Sequence, residues 1–372
     1  MQTIYLDNAA TTLKKPPSVS TAVSRWTECG NPGRGSHSIA LSASEKIYEA
    51  RVAAARLFGA KAENVVFTNN ATAALNMAIK GLIPDGSHII TSDFEHNSVR
   101  RPVLSLCKNN GYSRDIFITE REEYVPRAIE KMLRKNTAAV VCLHRSNITG
   151  RTLPIAQIGR LCRERGILFI ADASQSAGNA RIDMVRDNID VLCTAGHKGL
   201  YGPQGTGLLV MREDRDIKTL IEGGSGTDSM TEDMPSYFPD RLEAGTLSTP
   251  AIAGLLEGIR FVSAVGEENI HRHEVFLWKR CVNELCHRKI IIYDKDKPGA
   301  NFLFNISGVS PSEVSAFLDS KGICTRPGLH CSPDAHTALM TKGTGAVRAS
   351  FSYFTRIDEV DRFICAVKAL VR

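Results

Sequence analysis

The chain has 372 residues, 43% of them hydrophobic and 23% charged, and its formal net charge is +6. This length predicts a large domain with a smaller second one, and the composition is that of an ordinary globular protein. The basic residues are dispersed, as in Arg100 and Arg101, which indicates a solvated surface and no nucleic-acid partner. No apolar stretch approaches membrane-spanning length and residues 1–12 lack a signal-peptide pattern, so we expect a cytoplasmic protein without a membrane partner.

Ten cysteines are scattered along the chain, with no C-x-x-C pair and no cysteine and histidine cluster at zinc spacing. We therefore expect no metal site, and no disulfide framework in a long chain without an export signal. Cys142, Cys162 and Cys193 lie in apolar patterns and should be small buried hydrophobes. Cys331 differs because it lies in a loop rich in glycine and proline.

Strand-like and helix-like segments alternate along the chain, which predicts an α/β fold with a mostly parallel sheet. A helix is expected after a loop at residues 31–37, with Ser42 and Glu45 spaced as a capping box and Gly59 as its end. Residues 64–82 predict a strand that leads directly into a helix. The free N–H groups at that helix start could hold a phosphate, although a simple helix cap is the plainer interpretation.

Two further predicted strands lead to polar residues, one at residues 88–98 to His96 and one at residues 138–147 to Asn147. Polar side chains at strand ends are the recurring arrangement at the ligand-binding edge of an open α/β sheet. On its own, a histidine in such a loop is more often a hydrogen-bonded structural residue than a catalyst. The two residues therefore become informative only together with others.

The most informative stretch surrounds Lys198, where an apolar strand gives way to the glycine-rich sequence TAGHKGLYGPQGTG at residues 194–207. A partly desolvated lysine at the sheet edge would have a lowered pKa and could react as a free amine, whereas a solvated lysine is the plainer reading. Upstream, five consecutive apolar residues end on Asp172. An amine and a carboxylate at neighbouring strand ends match pyridoxal phosphate, whose aldehyde bonds to a lysine and whose ring nitrogen needs an acidic partner.

DASQ at residues 172–175 and GHKGLYGPQGTG at residues 196–207 resemble the class V aminotransferase group, specifically the cysteine desulfurases and selenocysteine lyases. The resemblance runs from Tyr5 to about Ile364. It implies a fold type I transferase that depends on pyridoxal 5'-phosphate. It also implies a homodimer with shared active sites.

The resemblance, combined with a change of pattern near residue 260, predicts two domains. The large cofactor-binding domain, with the mostly parallel central sheet, would span residues 15–258. A smaller α+β domain would span residues 259–372, and the segment at residues 1–14 could pack on it.

The resemblance assigns a role to each polar strand-end residue. Lys198 would bond to the cofactor and move protons, Asp172 would keep the ring nitrogen protonated, and His96 would stack on the ring and assist proton transfer. Asn147 and Gln175 would bind near the ring hydroxyl, with Asn147 also near the substrate. The implied phosphate contacts are Thr72, Ala73 through its N–H group, His197 and, from the neighbouring subunit, Thr227. The chain departs from the family pattern at Ala195, where a serine is common, and at Ala73, which is often acidic.

The segment ICTRPGLHCSPDAH at residues 323–336 resembles the R-x-G-H-H-C segment of desulfurases with a short cysteine loop. The resemblance implies that Cys331 is a catalytic nucleophile. It would take sulfur from L-cysteine, or selenium from selenocysteine, and pass it from a persulfide to an acceptor protein or thiol. His330 or Arg326 could favour the thiolate form. Leu329 stands where the family has a first histidine.

Arg348, in the strand-like segment GAVRASFSYF, is either a paired structural residue or a clamp for a carboxylate. The matching family arginine holds the substrate carboxylate, and we adopt that role. The predicted function is a cysteine desulfurase that converts L-cysteine to L-alanine and supplies iron–sulfur cluster or thio-cofactor assembly. Selenocysteine lysis, transamination or epimerisation without Cys331 stay open as alternatives. A non-enzymatic binding protein is disfavoured by the full set of cofactor residues.

Overall fold

The computed structural model describes residues 3–33 and 35–371. Outside them lie Arg34 of the loop predicted at residues 31–37, Met1 and Gln2 of the predicted segment 1–14, and Arg372 of the predicted small domain. The strands are β1 (Ile4–Tyr5), β2 (Val65–Thr68), β3 (His88–Ser92), β4 (Ser113–Phe117), β5 (Thr137–Leu143), β6 (Leu168–Asp172), β7 (Val191–Ala195), β8 (Gly207–Met211), β9 (Ile290–Ile292), β10 (Asn301–Ile306), β11 (Ile323–Cys324), β12 (Arg326–Gly328) and β13 (Ala346–Ser350). The α-helices are α1 (Pro17–Trp26), α2 (Ser38–Phe58), α3 (Ala71–Leu82), α4 (Asn97–Asn109), α5 (Val125–Met132), α6 (Ile155–Glu164), α7 (Thr249–Val265), α8 (Glu267–Glu284), α9 (Pro311–Ser320), α10 (Pro333–Ala338) and α11 (Ile357–Ala369).

Seven strands form the central sheet in the order β2-β8-β7-β6-β5-β3-β4. The four pairs from β4 through β7 are parallel, and only β8 runs antiparallel, to both β7 and β2. The predicted α/β fold with a mostly parallel sheet is therefore confirmed. Helices cover both faces, which explains why the strands are continuous apolar runs rather than alternating ones.

Successive residues of β5 show how the two faces are covered. Val140 and Cys142 pack in the core formed with α2, α5, α6 and α7, whereas Ala139 and Val141 pack in the core formed with α3 and α4. Cys142, Cys162 and Cys193 are all buried in these cores, as the sequence predicts. Their burial leaves them as packing residues.

The predicted start of α2 is wrong. The helix begins at Ser38, and His37 is its N-cap, with the Nδ1 atom accepting from the Ala40 N–H group at 3.3 Å. Ser42 and Glu45 have capping-box spacing but lie inside the helix, because that spacing also fits one face of a helical turn. The predicted end is confirmed at Gly59, which has a left-handed φ of 68°.

A second, four-stranded antiparallel sheet has the order β12-β13-β10-β9. Helices α8, α9 and α11 pack on it, and Ile4 and Leu6 from the start of the chain join the same core. β1 pairs in parallel with β11, so the first described residues lie against the last third of the chain. The predicted domain boundary after residue 258 falls inside the continuous helix α7 and stays a prediction.

This arrangement brings together segments that are far apart in sequence. The residues that follow β3, β5, β6 and β7 lie at one edge of the central sheet, because parallel strands end at the same edge. β12 and β13 approach that edge from the second sheet and carry Arg326 and Arg348. Within residues 3–33 and 35–371, no helix has the length and hydropathy needed to cross a membrane.

Candidate active site

A cavity of about 230 Å³ lies at the carboxyl edge of the central sheet. Most of the predicted site residues line it, namely Thr72, His96, Asn147, Asp172, Gln175, His197, Lys198 and Arg348. The structure therefore brings these side chains from six separate segments into one site. Ala73, Thr227 and Cys331 are outside this lining and are described separately below.

The loop that carries Lys198 depends on glycines for its path. A Cβ atom at Gly199 would lie 2.4 Å from the carbonyl oxygen of Ala177, and one at Gly178 would lie 2.1 Å from the carbonyl oxygen of Gly199. The loops after β6 and β7 therefore pack backbone against backbone, which only glycine permits. This close approach places Lys198 and Asp172 on the same cavity.

Lys198 is suited to act as an amine at neutral pH. Burial lowers the pKa of Lys198 from 10.5 to about 8; Asp172 opposes this shift, whereas Arg348 and Arg326 add to it. About a tenth of the side chain is then uncharged at pH 7, against less than a thousandth for a lysine in water. Of the two alternatives that the sequence left open for Lys198, the structure therefore shows the desolvated lysine with a lowered pKa.

The Asp172 carboxylate is held in a fixed orientation at the end of β6. Its Oδ1 atom accepts from the Ser174 N–H group at 2.9 Å and from the Ser174 hydroxyl group. Gln175 follows in the same turn and donates from Nε2 to the carbonyl oxygen of Ala9 at 2.8 Å. That bond holds the amino-terminal segment against the cavity, so the segment forms part of the site wall.

The start of α3 presents backbone N–H groups to the cavity, but not through Ala73. Asn70 is the N-cap, and its Oδ1 atom accepts from the Ala73 N–H group at 2.9 Å. The N–H groups of Ala71 and Thr72 have no acceptor within the helix, and both residues line the cavity. The Ala73 N–H group, predicted to contact a phosphate, is thus occupied by the Asn70 cap. The N–H groups of Ala71 and Thr72 are better placed to bind an anion.

His197 brings a polar atom that the protein itself does not satisfy. Its Nδ1 atom is buried and has no hydrogen-bond partner among the residues described. Burial lowers the pKa of His197 to about 4, helped by the charges of Lys198 and Lys15, so the ring is neutral at pH 7. A buried group of this kind is expected to meet a polar ligand, since native proteins satisfy nearly all buried polar atoms.

The departure at Ala195 has a structural consequence. Ala195 lines the cavity, whereas the neighbouring Thr194 is fully buried and donates from Oγ1 to the carbonyl oxygen of Ala173 at 3.3 Å. The threonine hydroxyl therefore points away from the cavity, as strand alternation predicts. This position offers the cavity no hydroxyl group.

His96 is the N-cap of α4, and its ring is held by Ser98. The Nδ1 atom accepts from the Ser98 N–H group at 3.1 Å and lies 2.8 Å from the Ser98 hydroxyl oxygen, which lies 2.7 Å from Thr72 Oγ1. Burial lowers the pKa of His96 to about 4, and Lys198 adds to the effect, so this ring too is neutral at pH 7. Ser98 was not predicted, although its place two residues after His96 at a helix start is a usable signal.

Cys331 lies on an exposed loop beside the cavity, within residues 329–332, which we call the thiol loop. His330 and Cys331 both have left-handed backbone conformations, with φ of 49° and 59°, which are uncommon for residues other than glycine. The Asn97 N–H group donates to the Cys331 carbonyl oxygen at 2.8 Å. The loop is thus ordered by contacts with the start of α4.

Asn147 also holds the thiol loop, and it uses both ends of its amide group to do so. Its Nδ2 atom donates to the His330 carbonyl oxygen at 2.8 Å, and its Oδ1 atom accepts from the Ser332 hydroxyl group at 2.8 Å. These partners are the two neighbours of Cys331. Asn147 lies at the cavity as predicted, but its polar atoms are engaged with the loop that carries the thiol.

Of the two groups predicted to act on the Cys331 thiol, Arg326 is the one whose charged end lies beside the sulfur atom. Its Nη2 atom lies 3.9 Å from Cys331 Sγ. His330 is buried, and burial lowers its pKa to about 3, so it carries no charge at pH 7. Its Nε2 atom donates to the Arg326 carbonyl oxygen at 2.9 Å, and its Nδ1 atom lies 3.2 Å from the Nε2 atom of the stacked His336. His330 therefore supports the loop as a neutral ring.

Arg348 is fully buried and already has partners. Its Nη1 atom donates to the Asn147 carbonyl oxygen at 2.8 Å, and its Nη2 atom donates to Asp7 Oδ1 at 2.6 Å. Its Nε atom is buried and has no partner in the described part of the chain. Asp7 was not predicted as a site residue, and it is 341 residues away in sequence.

Thr227 is exposed in the loop at residues 222–235, where it contacts Ser225 and, at 3.5 Å, Asp240. This loop forms a different cavity from the one that contains Lys198. A single chain does not bring Thr227 to the site. Its role as a contact from a neighbouring subunit stays a prediction.

A lysine with a lowered pKa and an aspartate lie at the carboxyl edge of a mostly parallel sheet, beside a second α+β unit, which is a fold type I enzyme architecture. Residues 4–363 match the family description Aminotransferase class-V. The chain therefore belongs to the class V aminotransferase family.

The chain is similar to proteins named cysteine desulfurase, both in sequence and in solved structure. A probable cysteine desulfurase of Methanothermobacter thermautotrophicus is 32% identical over 373 residues, covering 96% of this chain and 92% of that protein. A probable cysteine desulfurase of Pyrococcus abyssi is 30% identical, covering 100% and 95%. The apo structure of a cysteine desulfurase from Thermococcus onnurineus NA1 superposes with a TM-score of 0.90 at 30% identity and covers 99% of this chain and 94% of that one.

Proposed function

We propose that this protein is a pyridoxal phosphate-dependent cysteine desulfurase, which converts L-cysteine to L-alanine and retains the sulfur on Cys331. The single observation that carries the proposal is the convergence of Lys198 and Asp172 on one cavity beside an ordered, solvent-accessible thiol. Similarity to proteins named cysteine desulfurase over nearly the whole chain supports the same reaction.

The residues present fit pyridoxal phosphate. The amine of Lys198 would bond to its aldehyde and the carboxylate of Asp172 would contact its ring nitrogen, with His96 beside the ring. At the other end, the N–H groups of Ala71 and Thr72 offer donors for the phosphate. The unsatisfied Nδ1 atom of His197 is a further candidate contact. When bound, the cofactor would supply an electron-withdrawing ring that stabilises negative charge developing at the α-carbon of an amino acid.

The protein groups would then act in order on the substrate. Arg348, with Arg326 beside it, would bind the substrate carboxylate and fix its orientation. The amine of Lys198, free once the substrate amino group has taken its place on the cofactor, would remove the proton from the α-carbon, which its lowered pKa permits at neutral pH. The sulfur of Cys331, which lies 3.9 Å from Arg326 Nη2, would attack the substrate sulfur atom.

The sulfur transfer balances without an added oxidant. A new bond forms between the Cys331 sulfur and the substrate sulfur, while the carbon–sulfur bond of the substrate breaks. Protons return to the substrate carbons, so that L-cysteine and the enzyme thiol become L-alanine and the enzyme persulfide. The persulfide would pass to an acceptor thiol or protein, and we propose iron–sulfur cluster assembly as one use of the sulfur.

The decisive experiment measures sulfide and L-alanine together, using the purified protein with pyridoxal phosphate, L-cysteine and a reductant. We expect equal amounts of the two products. Cys331→Ala should abolish both, because no thiolate is left to accept the sulfur, while the absorbance of the bound cofactor should persist. Cys286→Ala, at another exposed cysteine, is the matched control and should be fully active. Equal activity of Cys331→Ala and the unmodified protein would refute the proposal.

We also propose a homodimer in which Thr227 of one subunit completes the phosphate site of the other. In support, Thr227 lies exposed on a glycine-rich loop rather than buried within its own chain. Light scattering should give twice the mass of the chain, and Thr227→Ala should weaken cofactor retention without changing the mass. A monomer with full cofactor occupancy would contradict this part of the proposal.

A further inference from the structure

The two arginines near the substrate site lie side by side but have different partners. Arg326 and Arg348 are directly opposite each other in the antiparallel pair β12 and β13, and both line the cavity. The charge of Arg348 is paired with Asp7 through the 2.6 Å contact. Arg326 has no acidic partner within 4.0 Å in the part of the chain that the structure describes, and the only hydrogen bond of its side chain there is to the thiol of Cys331.

The charges at this end of the cavity therefore do not cancel. Two guanidinium groups and one carboxylate leave one net positive charge, since arginine stays protonated in proteins. One substrate carboxylate would neutralise it. A site with a single uncompensated charge favours a ligand with one negative charge, because a second would face the carboxylate of Asp7 without a partner.

A third arginine in the cavity wall belongs to a different network. Arg145 donates from Nη1 to Asn179 Oδ1 at 2.7 Å and from Nε to Thr152 Oγ1 at 3.1 Å. Asn179 in turn donates to the buried carboxyl group of Glu274 at 2.9 Å. Arg145 is thus turned toward α8 and away from the pair formed by β12 and β13.

We propose that Asp7 is a specificity-determining residue, which cancels the charge of Arg348 so that the site accepts amino acids with one carboxylate and rejects dicarboxylic ones. This inference rests on the proposed function only in placing the amino-acid carboxylate beside Arg348 and Arg326. Asp7 reaches the site because β1 pairs with β11, and the backbone of Asp7 itself pairs with Ser350 next to Arg348. Asp7, near the start of the chain, thereby changes the net charge of the site that Arg326 and Arg348 form near its end.

The test compares the binding of L-alanine and L-aspartate to the enzyme loaded with pyridoxal phosphate, followed by the change in cofactor absorbance. Three variants, made from two substitutions, set the net charge of the site in known steps. Asp7→Asn raises it by one, Arg326→Gln lowers it by one, and the double variant restores it. Asp294→Asn is the matched control, because it neutralises another partly buried aspartate paired with an arginine, outside this cavity.

We expect Asp7→Asn to strengthen L-aspartate binding relative to L-alanine by about tenfold or more. Arg326→Gln should weaken L-alanine binding by a similar factor, and the double variant should recover most of that loss. A purely structural role for Asp7 predicts the opposite, namely a double variant that binds no better than Arg326→Gln alone. An unchanged ratio of L-aspartate to L-alanine binding in Asp7→Asn would also overturn the proposal.

The role of Asp7 can be tested even if Asp7→Asn does not fold, and separately from the desulfurase function. Asp7→Glu keeps the charge and should keep the preference for L-alanine; a switch to L-aspartate in this variant would overturn the proposal even if Asp7→Asn does not fold. Neither ligand contains sulfur, so the binding pattern is independent of the Cys331 chemistry. Failure to release sulfide with the expected binding pattern would refute only the desulfurase function.

Discussion

Replacing Lys198 with methionine in the cofactor-free protein tests how the site prepares its amine. Burial lowers the pKa of Lys198 from 10.5 to about 8, so the ammonium form is disfavoured in the folded state. Below pH 8 the Lys198 side chain is mostly protonated in both the folded and the unfolded protein, so folding must bury its charge and stability is lowered by the full amount. Between pH 8 and 10.5 the folded protein loses the proton while the unfolded protein keeps it, and the destabilisation declines. Above pH 10.5 the side chain is uncharged in both states and the destabilisation is gone.

The size of the effect follows from this shift. Lowering the Lys198 pKa from 10.5 to about 8 corresponds to about 3 kcal/mol, which is an upper value because the side chain is partly open to the cavity. Lys198→Met should therefore raise the free energy of unfolding by up to about 3 kcal/mol at pH 7, relative to its effect above pH 10.5. The difference should shrink to about 1 kcal/mol at pH 10.

Urea denaturation of both proteins at pH 7, 9 and 10 measures this difference directly. Lys135→Met replaces an exposed lysine and is the control, with an effect that should be the same at each pH. A Lys198→Met effect that does not vary with pH would show that the amine is not destabilised by burial. Lys198 would then not be a partly uncharged amine at neutral pH.

Two further substitutions test how the site is positioned. Ser332→Ala removes the donor to Asn147 and leaves a buried acceptor unsatisfied, which should destabilise the fold by about 1–3 kcal/mol. Sulfide release should fall while the cofactor absorbance stays unchanged. An unchanged rate of sulfide release would contradict a role for this contact in positioning the thiol loop. Gly207→Ala would place a Cβ atom 2.5 Å from the Asn70 carbonyl carbon at the start of α3. Thermal unfolding should then show a destabilisation of about 1–3 kcal/mol, and the cofactor should dissociate more easily because the start of α3 is displaced. Gly343→Ala, where the added atom meets open space, should be near neutral, and similar losses in both glycine variants would contradict the steric explanation.

The central sheet and the reactive pair could be predicted from the sequence because their signals are local. Apolar runs that stop at polar residues predict strand ends, and the edge of a parallel sheet is where such residues meet. The prediction that Asp172 and Lys198 lie together is confirmed, since both line one cavity. The prediction for the start of α2 is wrong, because the spacing of Ser42 and Glu45 fits a helix interior as well as a cap.

Only the tertiary structure decided which partners the polar side chains have. The pairing of Asp7 with Arg348 spans 341 residues, and the contact of Asn147 with Ser332 spans 185. No local pattern encodes such contacts, because they depend on how β1, β5 and β13 are brought together by packing of the two sheets. The sequence by itself therefore determined the chemical groups of the site, whereas the fold determined which of them are charged, engaged or accessible, since burial and neighbouring charges set those properties.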